Sequence, residues 1–219
     1  MAEGPFDQYR YQVRHEWGVD GLRRLAPADV VVVVDVLRFS TTVTDAVGRG
    51  EEIPLDAAAH AVSINGAAIA QIAAETGSVV LLGCLRNASA VAAAILDIQR
   101  GRGERTSIAV IAAGERAGKE PAAPVRFAVE DQLGAGAIID ALGDLGIDHT
   151  SPEAAAACES FRGLRGAARH LLTASGSGQE LLLRGASASD AARDEVLNAA
   201  ALDAASVVPR LRDGVFTTY

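Results

Sequence analysis

An aspartate that closes a β-branched run, followed by an arginine and three hydroxyls, can handle a phosphate group. Here residues 29–36 are almost wholly β-branched, include Asp35 near their end, and lead into Leu37-Arg38-Phe39-Ser40-Thr41-Thr42. A strand would fix Asp35 while the following loop exposes it. That suits metal ligation, proton transfer or nucleophilic attack, and capping of the next turn is the structural use of the same side chain. Arg38 offers a forked donor to phosphate or sulfonate, and Ser40, Thr41 and Thr42 offer hydroxyls at a helix N-terminus that favours an anion. Ordinary N-capping explains one of those hydroxyls equally well.

Other candidates stand at similar junctions. Arg86-Asn87 follow an apolar run and precede an alanine-rich one, which puts an anion-binding arginine where a strand gives way to a helix; a solvated surface arginine is the alternative. Asn65-Gly66 is a turn dipeptide that serves a bend or a ligand. Ala113-Gly114-Glu115-Arg116 ends a further apolar run and adds an arginine, although a long loop makes Arg116 and Lys119 secondary candidates. Glu130-Asp131 open a helix, where the dipole favours acids regardless of chemistry. With Asp35, however, they supply the few carboxylates that Mg²⁺ takes. His15, beside Trp17, reads as a structural histidine, and Ser175 to Gly178 as a turn before a helix.

The elements that must position these groups alternate. Residues 11–17 show a period-two pattern expected of a half-buried strand, and residues 29–36, 78–82 and 107–111 read as strands buried on both faces. Helices are expected from Ser40 to about Gly48 or Gly50, after Asn87 with Val91, Ile95 and Ile98 inward, over 130–142, over 152–161 and around 164–172. Residues 112–126 read as a loop, and Val207-Val208-Pro209 as the start of an edge strand. The expected fold class is α/β, with a mixed or parallel sheet in one unit spanning 1–219. Asp35, Arg86 and Glu115 would share its carboxyl edge, where such sheets bind ligands.

Composition narrows the partners. A net charge of −8 argues against nucleic acid and anionic membranes, and no apolar run approaches the ~20 residues of a membrane span. Cys84 and Cys158 lack metal-ligand spacing and suit a reducing, cytoplasmic setting; a homo-oligomer is compatible with all of this. Leu37 occupies the second acidic place of a D-x-D nucleophile motif. Ala90 and Leu164 stand where a cysteine-phosphatase loop would carry its arginine.

As an ordered set, these motifs resemble the 2-phosphosulfolactate phosphatase family of coenzyme M biosynthesis. The resemblance rests on residues 35–42, Asn65-Gly66, Gly83-Cys84-Leu85-Arg86-Asn87-Ala88, Ala113-Gly114, and Glu130-Asp131 with Gly134-Ala135-Gly136, and extends loosely from His15 to Pro209. It implies an α/β fold and Mg²⁺-dependent hydrolysis of 2-phosphosulfolactate or a related phosphorylated hydroxy acid. It also implies Asp35, Arg38 and Arg86 as catalytic groups, and Asp35, Glu130 and Asp131 around the metal. Ser40, Thr41, Thr42, Asn65, Gly66, Asn87 and Arg116 would contact a small anionic phosphorylated substrate. The chain departs from the pattern between Pro54 and Asn65, where a longer polar segment is shortened to residues 55–64, and at Ala67, which replaces a hydroxyl residue. That departure leaves room for a different reading, a small-anion-binding protein without catalysis.

Overall fold

The valines of the run Val30–Val34 are all buried, and they alternate between two apolar clusters. Val30, Val32 and Val34 belong to one cluster, Val31 and Val33 to the other, as the period-two geometry of a strand requires. A strand with no polar face needs cover on both sides, and helices supply it. The computed structural model describes residues 4–56, 65–118, 123–184 and 189–219.

Its strands are β1 (Val13–Trp17), β2 (Val30–Val34), β3 (Ile53–Pro54), β4 (Val79–Gly83), β5 (Ile108–Ala112), β6 (Glu115–Arg116), β7 (Val125–Arg126), β8 (Pro209–Arg212) and β9 (Val215–Thr218). Its helices are α1 (Gly18–Arg24), α2 (Phe39–Gly48), α3 (Gly66–Glu75), α4 (Ala88–Arg102), α5 (Val129–Asp144), α6 (Pro152–Leu164), α7 (Ala168–Ala174), α8 (Gly176–Arg184) and α9 (Ser189–Ala199). A seven-stranded sheet runs in the order β1-β5-β2-β4-β8-β9-β3. The first four of these strands are parallel and the others are antiparallel additions, so the sheet is mixed, as expected for this α/β class. Helices α4, α5, α6, α7 and α9 cover one face; α2 and α3, with Val19 and Leu22 of α1, cover the other. No helix among the described residues is long and apolar enough to cross a membrane.

Several expectations need correction. The late strand β8 lies inside the sheet between β4 and β9, because the hairpin partner β9 covers its outer side. Residues 112–126 include a short ribbon, β6 paired with β7. Strand β1 is not half-buried at its start: Arg14 and His15 are both buried, since the Arg14 guanidinium satisfies the carbonyls of Tyr9, Tyr11, Ala26 and Pro27. Residues 176–178 are already helical, with the Ser175 hydroxyl accepting the Gly178 amide at 3.0 Å. Cys84 and Cys158 are buried free thiols. Lys119 and residues 57–64 of the shortened segment lie outside the described residues.

Helix α5 carries the acids Glu130 and Asp131, and its placement depends on close packing against α6. A Cβ on Gly136 would overlap the Ala157 carbonyl oxygen and stand 2.7 Å from Phe161 Cβ. Gly136→Ala gains about 1 kcal/mol of helix propensity and loses more to overpacking of about 1–3 kcal/mol. Urea denaturation should therefore show a net loss of stability; an unchanged midpoint would mean that the two helices can separate without cost.

Candidate active site

At the carboxyl end of β2 the chain folds back on itself. Ser40 Oγ donates to the Val33 carbonyl at 3.0 Å and accepts the Asp35 amide at 3.1 Å, while Thr41 Oγ1 donates to the Val36 carbonyl at 2.8 Å. Both hydroxyls are buried. They are therefore spent on their own loop, where they replace hydrogen bonds that strand and helix no longer provide. Thr42 is exposed on α2. The expected hydroxyl cradle for an anion is thus an internal brace.

Asp35 itself is buried, at 5% exposure, rather than displayed by its loop. Its Oδ1 accepts the Phe39 amide at 3.2 Å, so the capping role is real. Its other oxygen faces α3: a Cβ on Gly66 would stand 2.7 Å from Asp35 Oδ2 and 2.8 Å from Phe39 Cδ1. Gly66 is needed for that close approach, which brings a helix N-terminus against a carboxylate.

Two further segments converge here. From the first turn of α5, Asp131 accepts the Val36 amide on Oδ1 and the Gly114 amide on Oδ2, each at 2.8 Å, and so ties the ends of β2 and β5 together. Glu130, beside it, is 2% exposed and its Oε2 has no hydrogen-bond partner. Asn65 donates to the Gly114 carbonyl at 2.8 Å and accepts Arg116 Nε at 3.1 Å. Glu115 receives the Ser177 hydroxyl at 3.1 Å. Asp35, Asn65, Gly66, Glu115, Arg116, Glu130 and Asp131 thus meet at one end of the sheet. Glu115 stands at the carboxyl edge expected of it, whereas Ser177 adds to the expected set and arrives only through tertiary packing.

The electrostatics are those of crowded carboxylates. Burial pushes the Asp131 carboxyl well above its usual range, with Asp35 and Glu130 adding to the effect and the two amides opposing it. Burial also raises Glu115, with Asp35, Glu180 and Glu130 contributing and Ser177 opposing. Among the described residues no basic side chain forms an ion pair with Glu115, Glu130 or Asp131. A divalent cation fits this chemistry. No three carboxylate, His or Cys side chains among the described residues enclose an ion by themselves, but Mg²⁺ is commonly held by one or two carboxylates with waters and substrate phosphate.

Other expected site residues lie elsewhere. Arg86 Nε and Nη2 both contact Asp45 Oδ1, at 3.1 and 3.0 Å, and Nη1 donates to the backbone and side chain of Asn198. Its guanidinium crosslinks α2 and α9, although its backbone shares the strand-end position expected of it. Arg38 approaches Glu195 at 3.8 Å and lines a separate cavity of about 170 Å³ with Thr41, Thr42, Asp45 and Arg49. Asn87 is fully buried and its amide group serves Cys84, Leu82 and Val207, a structural duty. His15, as expected, is structural: its Nδ1 bonds the Val110 carbonyl at 2.9 Å and its ring meets Trp17 edge-on.

A family model described as 2-phosphosulpholactate phosphatase matches residues 56–214, most of the chain. The chain belongs to that family, in agreement with the resemblance carried by its motifs. The matched span contains Asn65, Gly66, Arg116, Glu130 and Asp131, while Asp35 and Arg38 precede it. Comparison with curated proteins finds no match.

Removing one charge from the crowded acids should stabilise the protein without metal. A raised Asp131 pKa means that the folded state binds its proton more tightly than the unfolded chain does. That contribution is present at acid pH and is lost as pH rises through the folded value. Glu130→Gln should therefore stabilise chelator-treated protein near neutral pH by about 1.4 kcal/mol for each unit by which it relieves the Asp131 shift. The gain should fade on acidification. Denaturation curves at the two pH values check this, and a less stable variant at neutral pH would contradict it.

Proposed function

We propose that this member of the family is a Mg²⁺-dependent hydrolase of the phosphate monoester of a small anionic hydroxy acid, 2-phosphosulfolactate being the ester the family name indicates. The observation that carries this reading is the buried Glu130 carboxylate, with an unpartnered oxygen, which together with Asp35 acts on Asp131 at the carboxyl edge of parallel strands. Asp35 and Glu130 would hold the ion. When bound, Mg²⁺ supplies neutralisation of charge on the phosphoryl oxygens. Asp131 is a positioning residue, because both of its oxygens are committed to backbone amides.

In the reaction, water oxygen bonds to phosphorus and gives up a proton, the bond between phosphorus and the ester oxygen breaks, and that oxygen takes the proton to become the free hydroxyl. Glu115, oriented by the Ser177 hydroxyl, would relay that proton from the water to the ester oxygen. Inorganic phosphate and the hydroxy acid are the products.

The rival reading, a small-anion binder without catalysis, needs donors preplaced for an anion. Ser40, Thr41 and Asn87 are instead consumed by the fold, and what remains at the centre is acidic. Such a centre repels an anion unless a cation stands between them.

Phosphate release from 2-phosphosulfolactate should require Mg²⁺ and stop on chelation. Asp35→Asn should lower kcat by roughly a hundredfold or more, the scale of losing a metal or transition-state contact. Its melting temperature should move by only a few degrees. Full turnover in a folded Asp35→Asn variant would leave Asp35 as a turn cap alone.

A further inference from the structure

We propose that residues 4–12 are a strap that closes the outer edge of β1 and keeps that edge from pairing, antiparallel and about a two-fold axis, with β1 of a second copy of this chain. The proposal does not rest on the phosphatase reading. Strand β1 ends the order of the sheet: β5 lies on its inner side, and no strand of the sheet lies on its outer one. Successive residues of a strand turn their backbone groups to opposite sides. The Gln12 carbonyl accepts the Ile108 amide at 2.8 Å, which points Gln12, Arg14 and Glu16 toward β5 and leaves Val13, His15 and Trp17 facing outward.

Each outward position is covered by something other than a strand of the sheet. Val13 exchanges hydrogen bonds with the segment before α6: its amide donates to the His149 carbonyl at 3.1 Å, and its carbonyl accepts the Ser151 amide at 2.8 Å. The Trp17 amide donates to the Glu16 carboxylate at 3.2 Å. At His15 the cover is a side chain. Gln8 Oε1 accepts the His15 amide at 3.1 Å and Gln8 Nε2 donates to the His15 carbonyl at 2.9 Å, so one carboxamide takes the place of a neighbouring strand's peptide groups. Gln8 is buried and holds φ +56°, a conformation that glycine and asparagine adopt at lower cost. Its reach to both groups of His15 explains a glutamine there.

Polar contacts hold the strap in place. The Asp7 carbonyl accepts the Ala26 amide at 2.9 Å, and Arg14 gathers the Tyr9 and Tyr11 carbonyls of the strap at 3.2 and 2.9 Å. Phe6 and Tyr9 are exposed, so little apolar burial fastens it. The edge beneath is complementary to itself. Antiparallel pairing centred on His15 would set Val13 against Trp17 of the second copy and Arg14 against its Glu16, an apolar and an opposite-charge cross-strand pair. Such a contact is isologous, and it would give the His15 amide and carbonyl the partners that Gln8 now supplies. A strand edge left open in this way is a template for pairing with another chain.

Gln8→Gly removes the carboxamide and accepts the left-handed backbone, so it opens the edge without straining the strap. Amide hydrogen exchange read at His15 follows the cover, and sedimentation velocity follows the association. In the native protein the His15 amide should exchange slowly and independently of protein concentration. In dilute Gln8→Gly it should exchange roughly tenfold or more faster, the scale of a lost hydrogen-bond pair. As concentration rises the exchange should slow again, and a species of doubled mass should appear with it. Adding Glu16→Lys sets like charges opposite each other and should shift that association several-fold toward higher concentration. Gln8→Asn keeps the backbone conformation but is too short to meet both groups of His15; it should behave as Gln8→Gly does and replaces it if the glycine variant unfolds. Unchanged His15 exchange in the dilute variant would show that Gln8 does not guard the edge. Fast exchange at every concentration with no larger species would show that the edge does not pair with itself, and association unmoved by Glu16→Lys would place the contact elsewhere. Any of these results overturns the proposal.

Discussion

Asp131 accepts two backbone amides from two different strand ends, Val36 and Gly114, and the geometry of the site depends on that pair of hydrogen bonds. Strands β2 and β5 are neighbours in the sheet, but past Val34 and Ala112 their ladder is ending and the backbone amides need new acceptors. A carboxylate from the first turn of α5 satisfies both. Because Glu130 precedes it on that turn, the strut also fixes the unpartnered carboxylate. Gly134, one turn further along, keeps the helix against the strand, since a Cβ there would stand 2.7 Å from Val36 and 2.9 Å from Val34. Asn65 completes the frame by joining α3 to the same Gly114.

This frame has an electrostatic cost. A hydrogen bond to a charged group contributes about 1.5–3 kcal/mol, and burying a carboxylate costs several kcal/mol even after the surroundings relax. Two amides therefore offset only part of the burial of Asp131, and the neighbouring Asp35 and Glu130 add repulsion. The raised Asp131 pKa has the direction expected when burial, with the repulsion of Asp35 and Glu130 added, outweighs the two amides. In the proposed reading a hard cation would offset that repulsion. That is the physical link between the strut and the proposed use of Mg²⁺.

The sequence makes the buried strands legible because their runs are apolar on both faces, and Asp35, Glu115 and Glu130 are legible because they sit at the ends of such runs. What it hides is the partner of each polar side chain. Ser40 and Thr41 have the residue types of an anion-binding helix start, yet their acceptors are Val33 and Val36 in the same loop. Arg86 is at the expected edge, but its charge is taken by Asp45 and its remaining donors by Asn198, far away in sequence. Asn87 is spent on Val207 for the same reason. The interior position of β8 is hidden too, because it depends on the pairing of β9, whose short segment carries no strong pattern of its own. Local periodicity determines elements; satisfaction of buried polar groups is decided between elements.

The distribution of arginines completes the physical picture. Arg86 is paired closely with Asp45 of α2, while Arg38 only approaches Glu195 of α9 at 3.8 Å with both side chains partly exposed. Arg116 instead has a neutral tether and a cavity before it. A substrate negative at both ends would otherwise be repelled by the acids and by a surface with net charge −8. In the proposed reading a cation at the acidic centre and the tethered guanidinium of Arg116 would offset that repulsion locally.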